Sequence, residues 1–219
     1  MLFDLRSRGR RRTVRVVYLG LAILMGGGLV LFGVGTGSGI GGLLNAFTGS
    51  GSNQQTQVVS QQEKTALAEV KQDPNSAAAW GDLVSARWEN ASTAGFNSNT
   101  NAYTAAGKKD LSLTTQDWQH YLQLTSNPDP NLAILAARAY AALSQYSGAS
   151  SAWEINATAN PSEVKGYECL AVSAYAAKET RKGTLAEAKA LSLTPKADRA
   201  TLKSEIDQAK TQPSIAQSC

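Results

Sequence analysis

The chain has 219 residues, enough for one or two domains, and a net charge of +4. Six arginines and one aspartate lie in residues 1–15, whereas residues 16–219 carry fifteen lysines and arginines against sixteen acids. The near-neutral remainder has no positive field that would attract a phosphate backbone, so the composition argues against a nucleic-acid-binding protein.

An apolar run of nineteen residues without charge, residues 16–34, follows the basic segment 1–15. At a rise of 1.5 Å per residue, such a helix spans a hydrocarbon core of about 30 Å. The positive-inside rule then places the N-terminus in the cytoplasm and the rest of the chain outside it. The side chains expected at the membrane interface, facing anionic lipid, are Arg10, Arg11, Arg12 and Arg15.

A cleaved signal peptide is the alternative interpretation of this apolar run. Its apolar core would be about 7–15 residues long and would end at a small-residue cleavage site. Here the run is longer and no such site follows it. The sequence therefore favours an uncleaved single-pass anchor in the cell membrane, with an extracytoplasmic C-terminal domain.

Residues 35–56 are expected to form a flexible linker, because eight of the twenty residues 33–52 are glycine. Alanine-rich, helix-periodic sequence then predicts an all-α domain over residues 57–212, followed by a tail, 213–219. Prolines 74, 128, 130, 161 and 195 mark helix ends, and Ser76, Asn131 and Ser162 are the expected starting caps. The predicted helices are 57–72, 76–91, 114–125, 131–145, 148–158, 162–178, 183–192 and 196–210.

A polar run, residues 92–112, interrupts the helical pattern and contains the aromatic residues Phe96 and Tyr103. It is expected to be a loop. Loops of this length are uncommon and are often functional. A mobile surface loop without a function is an equally good interpretation.

Repetition within the chain is the strongest indication of architecture. Pro161 and Pro195 are 34 residues apart, and the residues before each share a pattern of small side chains. In this register Tyr140 and Ala149 correspond to Ala174 and Gly183. A fixed period of this length is typical of stacked helical hairpins.

The pattern resembles the tetratricopeptide repeat. The residues that carry the resemblance are Trp80, Leu83 and Trp88 in a first unit, Ala137, Tyr140, Ala149 and Pro161 in a second, and Tyr167, Leu170, Ala171, Gly183, Ala190 and Pro195 in a third. Val84 stands where the family has glycine, and Glu187 replaces an aromatic residue. The resemblance implies a solenoid of about three repeats with a terminal capping helix.

The resemblance also implies that the first helix of each repeat lines a concave groove that binds polypeptides. In this register the groove residues are Asp82, Ser85, Trp88, Asn131, Ile134, Arg138, Lys165, Glu168, Val172 and Tyr175. Family members that clamp a terminal carboxylate use a set rich in lysine and asparagine. Lys165 is the one lysine of the set and Glu168 opposes it, so no carboxylate clamp is expected.

Two cysteines, Cys169 and Cys219, are too few for a disulfide framework. The sequence favours two free thiols, and a single bridge is the alternative for an exported domain. The one histidine, His120, lies three residues after Asp117. These two residues are fewer ligands than zinc requires. We find no nucleophile motif or phosphate-binding glycine loop, and we expect neither a cofactor nor a metal nor enzyme activity.

The sequence thus predicts a membrane-tethered scaffold that binds partner proteins. Its layout resembles the single-pass, repeat-bearing accessory proteins of bacterial protein export and envelope assembly. A self-assembling structural subunit of an envelope complex, a homo-oligomer, is the alternative. An enzyme would require a polar pocket that joins His120 to two carboxylates.

Overall fold

Helices make up most of the structure, a computed structural model that describes residues 53–219, with side chains from residue 61 onward. The helices are α1 (Asn53–Gln72), α2 (Ala77–Thr93), α3 (Ala105–Leu124), α4 (Pro130–Ala142), α5 (Tyr146–Ala159), α6 (Val164–Ala176), α7 (Thr180–Leu193), α8 (Arg199–Gln208) and a 3₁₀-helix (Pro213–Ser218). Two short strands, β1 (Phe96–Asn97) and β2 (Ala102–Tyr103), pair antiparallel. The predicted all-α class is confirmed for these residues.

The basic segment 1–15, the apolar span 16–34 and the linker up to residue 52 lie outside the described residues, and so do the four arginines expected at the membrane interface. Helix α1 begins at Asn53, four residues earlier than predicted. Within residues 53–219, no helix has both the length and the apolar character that crossing a bilayer requires.

Side-chain caps and prolines set several helix ends. Ser76 caps α2 as predicted, because its hydroxyl accepts a hydrogen bond from the Ala79 amide at 3.3 Å. For α4 the expected cap, Asn131, is wrong: Asp129 occupies that position and accepts from the Asn131 amide at 2.7 Å, with Pro130 in the first turn. Ser162 does not cap α6, whose first flanking residue is Glu163 without a side-chain cap bond.

The expected loop 92–112 is wrong in its second half, because α3 begins at Ala105 rather than near residue 114. Thr104 caps this helix by accepting from the Gly107 amide at 3.1 Å. The rest of the run is a β-hairpin in which the rings of Phe96 and Tyr103 meet edge to face, 5.0 Å apart. Gly95 and Gly107 then bring the backbones at the two ends of the hairpin into direct contact.

Consecutive helices pack as three hairpins in the described residues: α2/α3, α4/α5 and α6/α7. Close crossings depend on aromatic rings that lie against glycines. A Cβ atom on Gly148 would lie 2.5 Å from the Tyr140 ring, and one on Gly183 would lie 2.7 Å from the Tyr175 ring. Within the α4/α5 hairpin, Asn156 Nδ2 on α5 donates to the Pro130 carbonyl at the start of α4, at 3.2 Å.

The 34-residue period appears in the backbone. Ser144 and Lys178 follow the ends of α4 and α6, and both have positive φ, 59° and 66°. The next amides, of Gln145 and Glu179, each donate at 2.8 Å to the carbonyl five residues earlier, which completes the same helix-terminating motif. The two accepting carbonyls belong to Tyr140 and Ala174, the pair that the 34-residue register predicts, whereas the tyrosine–glycine ring contacts recur at 35 residues.

Candidate functional site

The first helices of the three hairpins, α2, α4 and α6, form the surface that we call the first-helix face. Helix α2 contacts α4 directly, and the C-terminal 3₁₀-helix contacts both α4 and α6. All ten residues of the predicted groove lie on α2, α4 or α6. Three of them line an open region, three lie under the chain's own C-terminal segment, and the other four lie in neither region.

The open region is a groove of about 540 Å³ between α2 and α4, which we call the α2/α4 groove. It brings together three residues of the predicted set: Asp82, Ser85 and Asn131. Its complete lining is Ala77, Ala78, Gly81, Asp82, Ser85, Tyr121, Asp129, Asn131, Leu132 and Leu135.

Local interactions fix the walls of this groove. Tyr121 Oη accepts a hydrogen bond from the Asp129 amide at 2.9 Å, which ties α3 to the start of α4. Gly81 has no side chain, and this leaves space for Leu132, whose Cδ1 atom would lie 2.9 Å from an added Cβ. Ser85, which also lines the groove, donates from Oγ to the Gly81 carbonyl at 3.2 Å.

The groove is apolar at its base and acidic at its rim. Leu132 and Leu135 are half-buried, whereas Asp82 and Asp129 are exposed. No lysine or arginine is among the residues that line this groove. The surface is therefore suited to a segment that carries both apolar and positively charged side chains.

Two other predicted groove residues lie outside this lining. Trp88 is half-buried against a small apolar cluster of Ala91, Leu111 and Ala139, and Ile134 packs against the main core. Sequence reasoning missed Asp129, because this residue precedes α4 rather than lying on it.

The second region, on α4 and α6, lies under the C-terminal segment, residues 199–219. Val172 and Tyr175 are 3% and 5% exposed and belong to the same buried cluster as Ala216 and Cys219. Arg138 Nε donates to the Cys219 carbonyl oxygen at 3.0 Å. Of the remaining predicted residues, exposed Lys165 pairs with half-buried Glu168 at 2.8 Å, near the start of α6.

The expectation of free thiols is wrong, because Cys169 and Cys219 form a disulfide across 50 residues of sequence. The 3₁₀-helix packs on α6 and brings the two Cα atoms to 5.6 Å. That separation lies within the range a disulfide requires. The spacing of the two cysteines in the sequence does not show that they lie close together in the fold.

Helix α8 is held separately, by ion pairs to α7. Glu187 is 7% exposed and accepts from Tyr175 Oη at 2.6 Å and from Lys203 Nζ at 2.8 Å. Burial opposes ionisation of Glu187, but these hydrogen bonds outweigh it and hold its pKa below the ordinary value. Lys210 lies over the Tyr175 ring, 4.4 Å from its centre.

A second buried ionic network joins α1, α2 and α3. Arg87 donates from Nε to Glu63 at 3.2 Å and from Nη1 to Asp117 at 2.5 Å. Asn90 adds a bond to Glu63 at 2.6 Å. The Arg87 and Asp117 side chains are 11% and 6% exposed. Burial raises the pKa of Asp117 to about 6, and the Arg87 guanidinium offsets this only in part.

This pKa predicts a pH dependence of stability. Between the unfolded value, near 3.9, and about 6, the folded protein retains a proton on Asp117 that the unfolded chain has lost. The contribution of Asp117 to the free energy of unfolding is therefore largest below about pH 4 and falls by roughly 2–3 kcal/mol as the pH rises through 6. Urea titrations from pH 4.5 to 7 measure this decline, which Asp117→Asn should remove. The exposed Asp82→Asn is the control, and parallel curves for wild type and Asp117→Asn would contradict the assignment.

The one histidine packs against an aromatic ring. His120 is half-buried, and its ring lies against Trp80 with the centres 4.1 Å apart. The neighbouring Asp117 bonds Arg87. Among residues 53–219, no cluster of three or more histidine, cysteine or acidic side chains is arranged to hold a metal ion.

Residues 53–219 therefore define an all-α protein of consecutively packed helical hairpins, consistent with a helical-repeat fold. An open acidic and apolar groove lies on one face. Comparisons of the chain with known protein families, with curated proteins and with solved structures find no match.

Proposed function

We propose that this protein is a membrane-tethered scaffold that binds a partner polypeptide in the α2/α4 groove. The observation that carries the proposal is the groove itself: an open channel of about 540 Å³ with a leucine base and an acidic rim. Most of its residues come from the first helices of adjacent hairpins, and helical-repeat proteins use such surfaces for binding. The partner segment is apolar and basic.

The repeats are proposed to be tetratricopeptide-like, about three in number, with α8 as the terminal capping helix. The helix-terminating motifs at Ser144 and Lys178, 34 residues apart, support this period. The prolines at 161 and 195 have the same spacing.

We also propose that the domain lies outside the cytoplasm, anchored by residues 16–34. The basic segment before the apolar run supports this orientation. The Cys169–Cys219 disulfide supports it independently, because disulfides persist in oxidising compartments. A role in bacterial protein export or envelope assembly fits this arrangement. Protease treatment of intact cells tests the orientation: digestion of the domain supports it, and protection until the cells are lysed contradicts it.

A pair of peptides tests binding in the groove. One short fluorescent peptide alternates leucine with lysine, and its partner alternates leucine with glutamate. The full chain in detergent is expected to bind the lysine peptide, as measured by fluorescence anisotropy. Asp82→Asn with Asp129→Asn should weaken that binding about three- to tenfold, because two rim charges are lost. Asparagine at position 129 still caps α4, so the fold is retained.

The matched control replaces two exposed acids away from the groove, Glu69→Gln and Glu205→Gln, which changes the net charge equally. This variant should bind the lysine peptide as the wild type does. Equal losses in both variants would show a general charge effect and would contradict the proposed site. Equal binding of the leucine–glutamate peptide would also contradict it.

A further inference from the structure

Residues 213–219, the end of the C-terminal segment, lie on the first-helix face as a bound peptide would. Its six-residue 3₁₀-helix contacts both α4 and α6. Ala216 is 0% and Cys219 is 7% exposed, whereas Ser214, Gln217 and Ser218 face solvent. Residues three apart share one face of a 3₁₀-helix, so Ala216 and Cys219 turn one face of small side chains towards the protein, and the half-buried Ile215 packs against the core beside it.

The contacts that hold residues 213–219 are separate from those that hold α8. Helix α8 is held by the ion pair between Lys203 and Glu187 and by the buried side chain of Ile206. Residues 213–219 are held by the disulfide, by the Arg138 bond to the Cys219 carbonyl and by the burial of Ala216 with the half-buried Ile215 beside it. A 3₁₀-helix of this length has little stability by itself. The disulfide is therefore the strongest attachment of these residues.

We propose that the α4/α6 part of the first-helix face is a second polypeptide-binding site, which the chain keeps occupied with its own residues 213–219 and which reduction of Cys169–Cys219 exposes. The partner that takes this site has the chemistry of the segment it replaces: a proline, then a larger apolar residue followed by small apolar side chains three residues apart. This goes beyond the proposed α2/α4 groove, because it concerns a different part of the face and a different ligand.

The reductant is a dithiol, such as the active site of a thiol–disulfide oxidoreductase. One thiolate attacks Cys219 Sγ, and the Cys169 sulfur leaves as a thiolate. The second thiol of the reductant then resolves the mixed disulfide and releases the Cys219 thiolate. Two electrons pass from the dithiol to the protein disulfide, both cysteines end as protonated thiols, and the reductant leaves as an internal disulfide.

The first test measures hydrogen exchange in the full chain. In Cys169→Ser with Cys219→Ser, the amides of residues 213–219 should exchange at least about tenfold faster than in the oxidised wild type, while those of α8 keep their protection. Dithiothreitol added to the wild type should have the same effect. Unchanged exchange at 213–219, or simultaneous loss of protection throughout α6, would overturn the proposal.

The second test measures binding in trans. The probe is a fluorescent peptide with the sequence of residues 209–219 carrying Cys219→Ser. The receptor is the full chain with both serine substitutions and Ala216→Glu, which places a charge at a fully buried position and displaces the chain's own segment. This receptor should bind the probe at least about tenfold more tightly than the oxidised wild type does.

Two controls make the result specific. A probe that also carries Ala216→Glu should not bind, and Arg138→Met in the receptor should weaken binding of the original probe. If this receptor has the helical circular dichroism of the wild type, and is therefore folded, but does not bind the probe, the proposal is overturned. The leucine–lysine peptide is measured in the same samples, so a failure of the α2/α4 groove would be seen separately from a failure of this site.

Discussion

Replacing Arg87 with methionine is expected to lower the free energy of unfolding at pH 7 by about 3–5 kcal/mol. The guanidinium is the shared partner of Glu63 and Asp117, and the Asp117 side chain is only 6% exposed. Methionine retains much of the apolar volume of arginine but leaves the Asp117 carboxylate buried without its cation. Urea denaturation followed by circular dichroism measures the loss.

The penalty should shrink by about 1 kcal/mol at pH 5, because protonation of Asp117 then removes the unpaired charge. Lys182→Met is the matched control. Lys182 pairs with Glu154 and Glu179, and the three side chains are 31%, 54% and 28% exposed, so this loss should stay below about 1 kcal/mol. If Lys182→Met and Arg87→Met cost the same, burial of the Arg87 network would not be the cause.

Gly107→Ala is expected to destabilise the protein by about 2–3 kcal/mol or more, although alanine favours a helix over glycine by about 1 kcal/mol. The added Cβ would lie 2.2 Å from the Gly95 carbonyl oxygen and 2.7 Å from its carbon. Both are backbone atoms, so relief requires α2 and α3 to move apart. Thermal and urea unfolding of the variant report the change.

Gly81→Ala provides the comparison. Its added Cβ would meet Leu132 Cδ1 at 2.9 Å, the end of a flexible side chain that can rotate away. We expect a change within about 1 kcal/mol, in either direction. If Gly107→Ala instead raises the stability, the close contact of the two backbones cannot be present in solution.

The helices that the sequence predicted well are those with local stop signals. Pro74 and Pro161 mark real helix ends, and the 34-residue period recurs in the backbone at Ser144 and Lys178. The start of α3 was missed because residues 105–112 contain a glycine, few apolar side chains and two consecutive lysines. Thr104, which caps the helix, was a signal that could have located it.

The residues of the candidate site divide in the same way. Positions that depend on local helical register were predicted, and positions that depend on contacts distant in the sequence were not. Helical register placed Asp82, Ser85 and Asn131 on one face, and all three line the open groove. Register could not show that the chain returns to cover Val172 and Tyr175, because that contact joins α6 to residues more than 30 positions later. The disulfide was missed for the same reason.

The attachment of α1 has a mechanical consequence. Its described polar contacts with α2 run through Glu63 alone, which bonds Arg87 and Asn90. From position 61 onward, Ala66 is its one buried apolar residue. A tensile load applied at the N-terminal side of the domain would therefore reach this helix first. Helix α1 would detach and unfold at low force, while the three hairpins stayed folded. Its unfolding would therefore limit the force that reaches the hairpins.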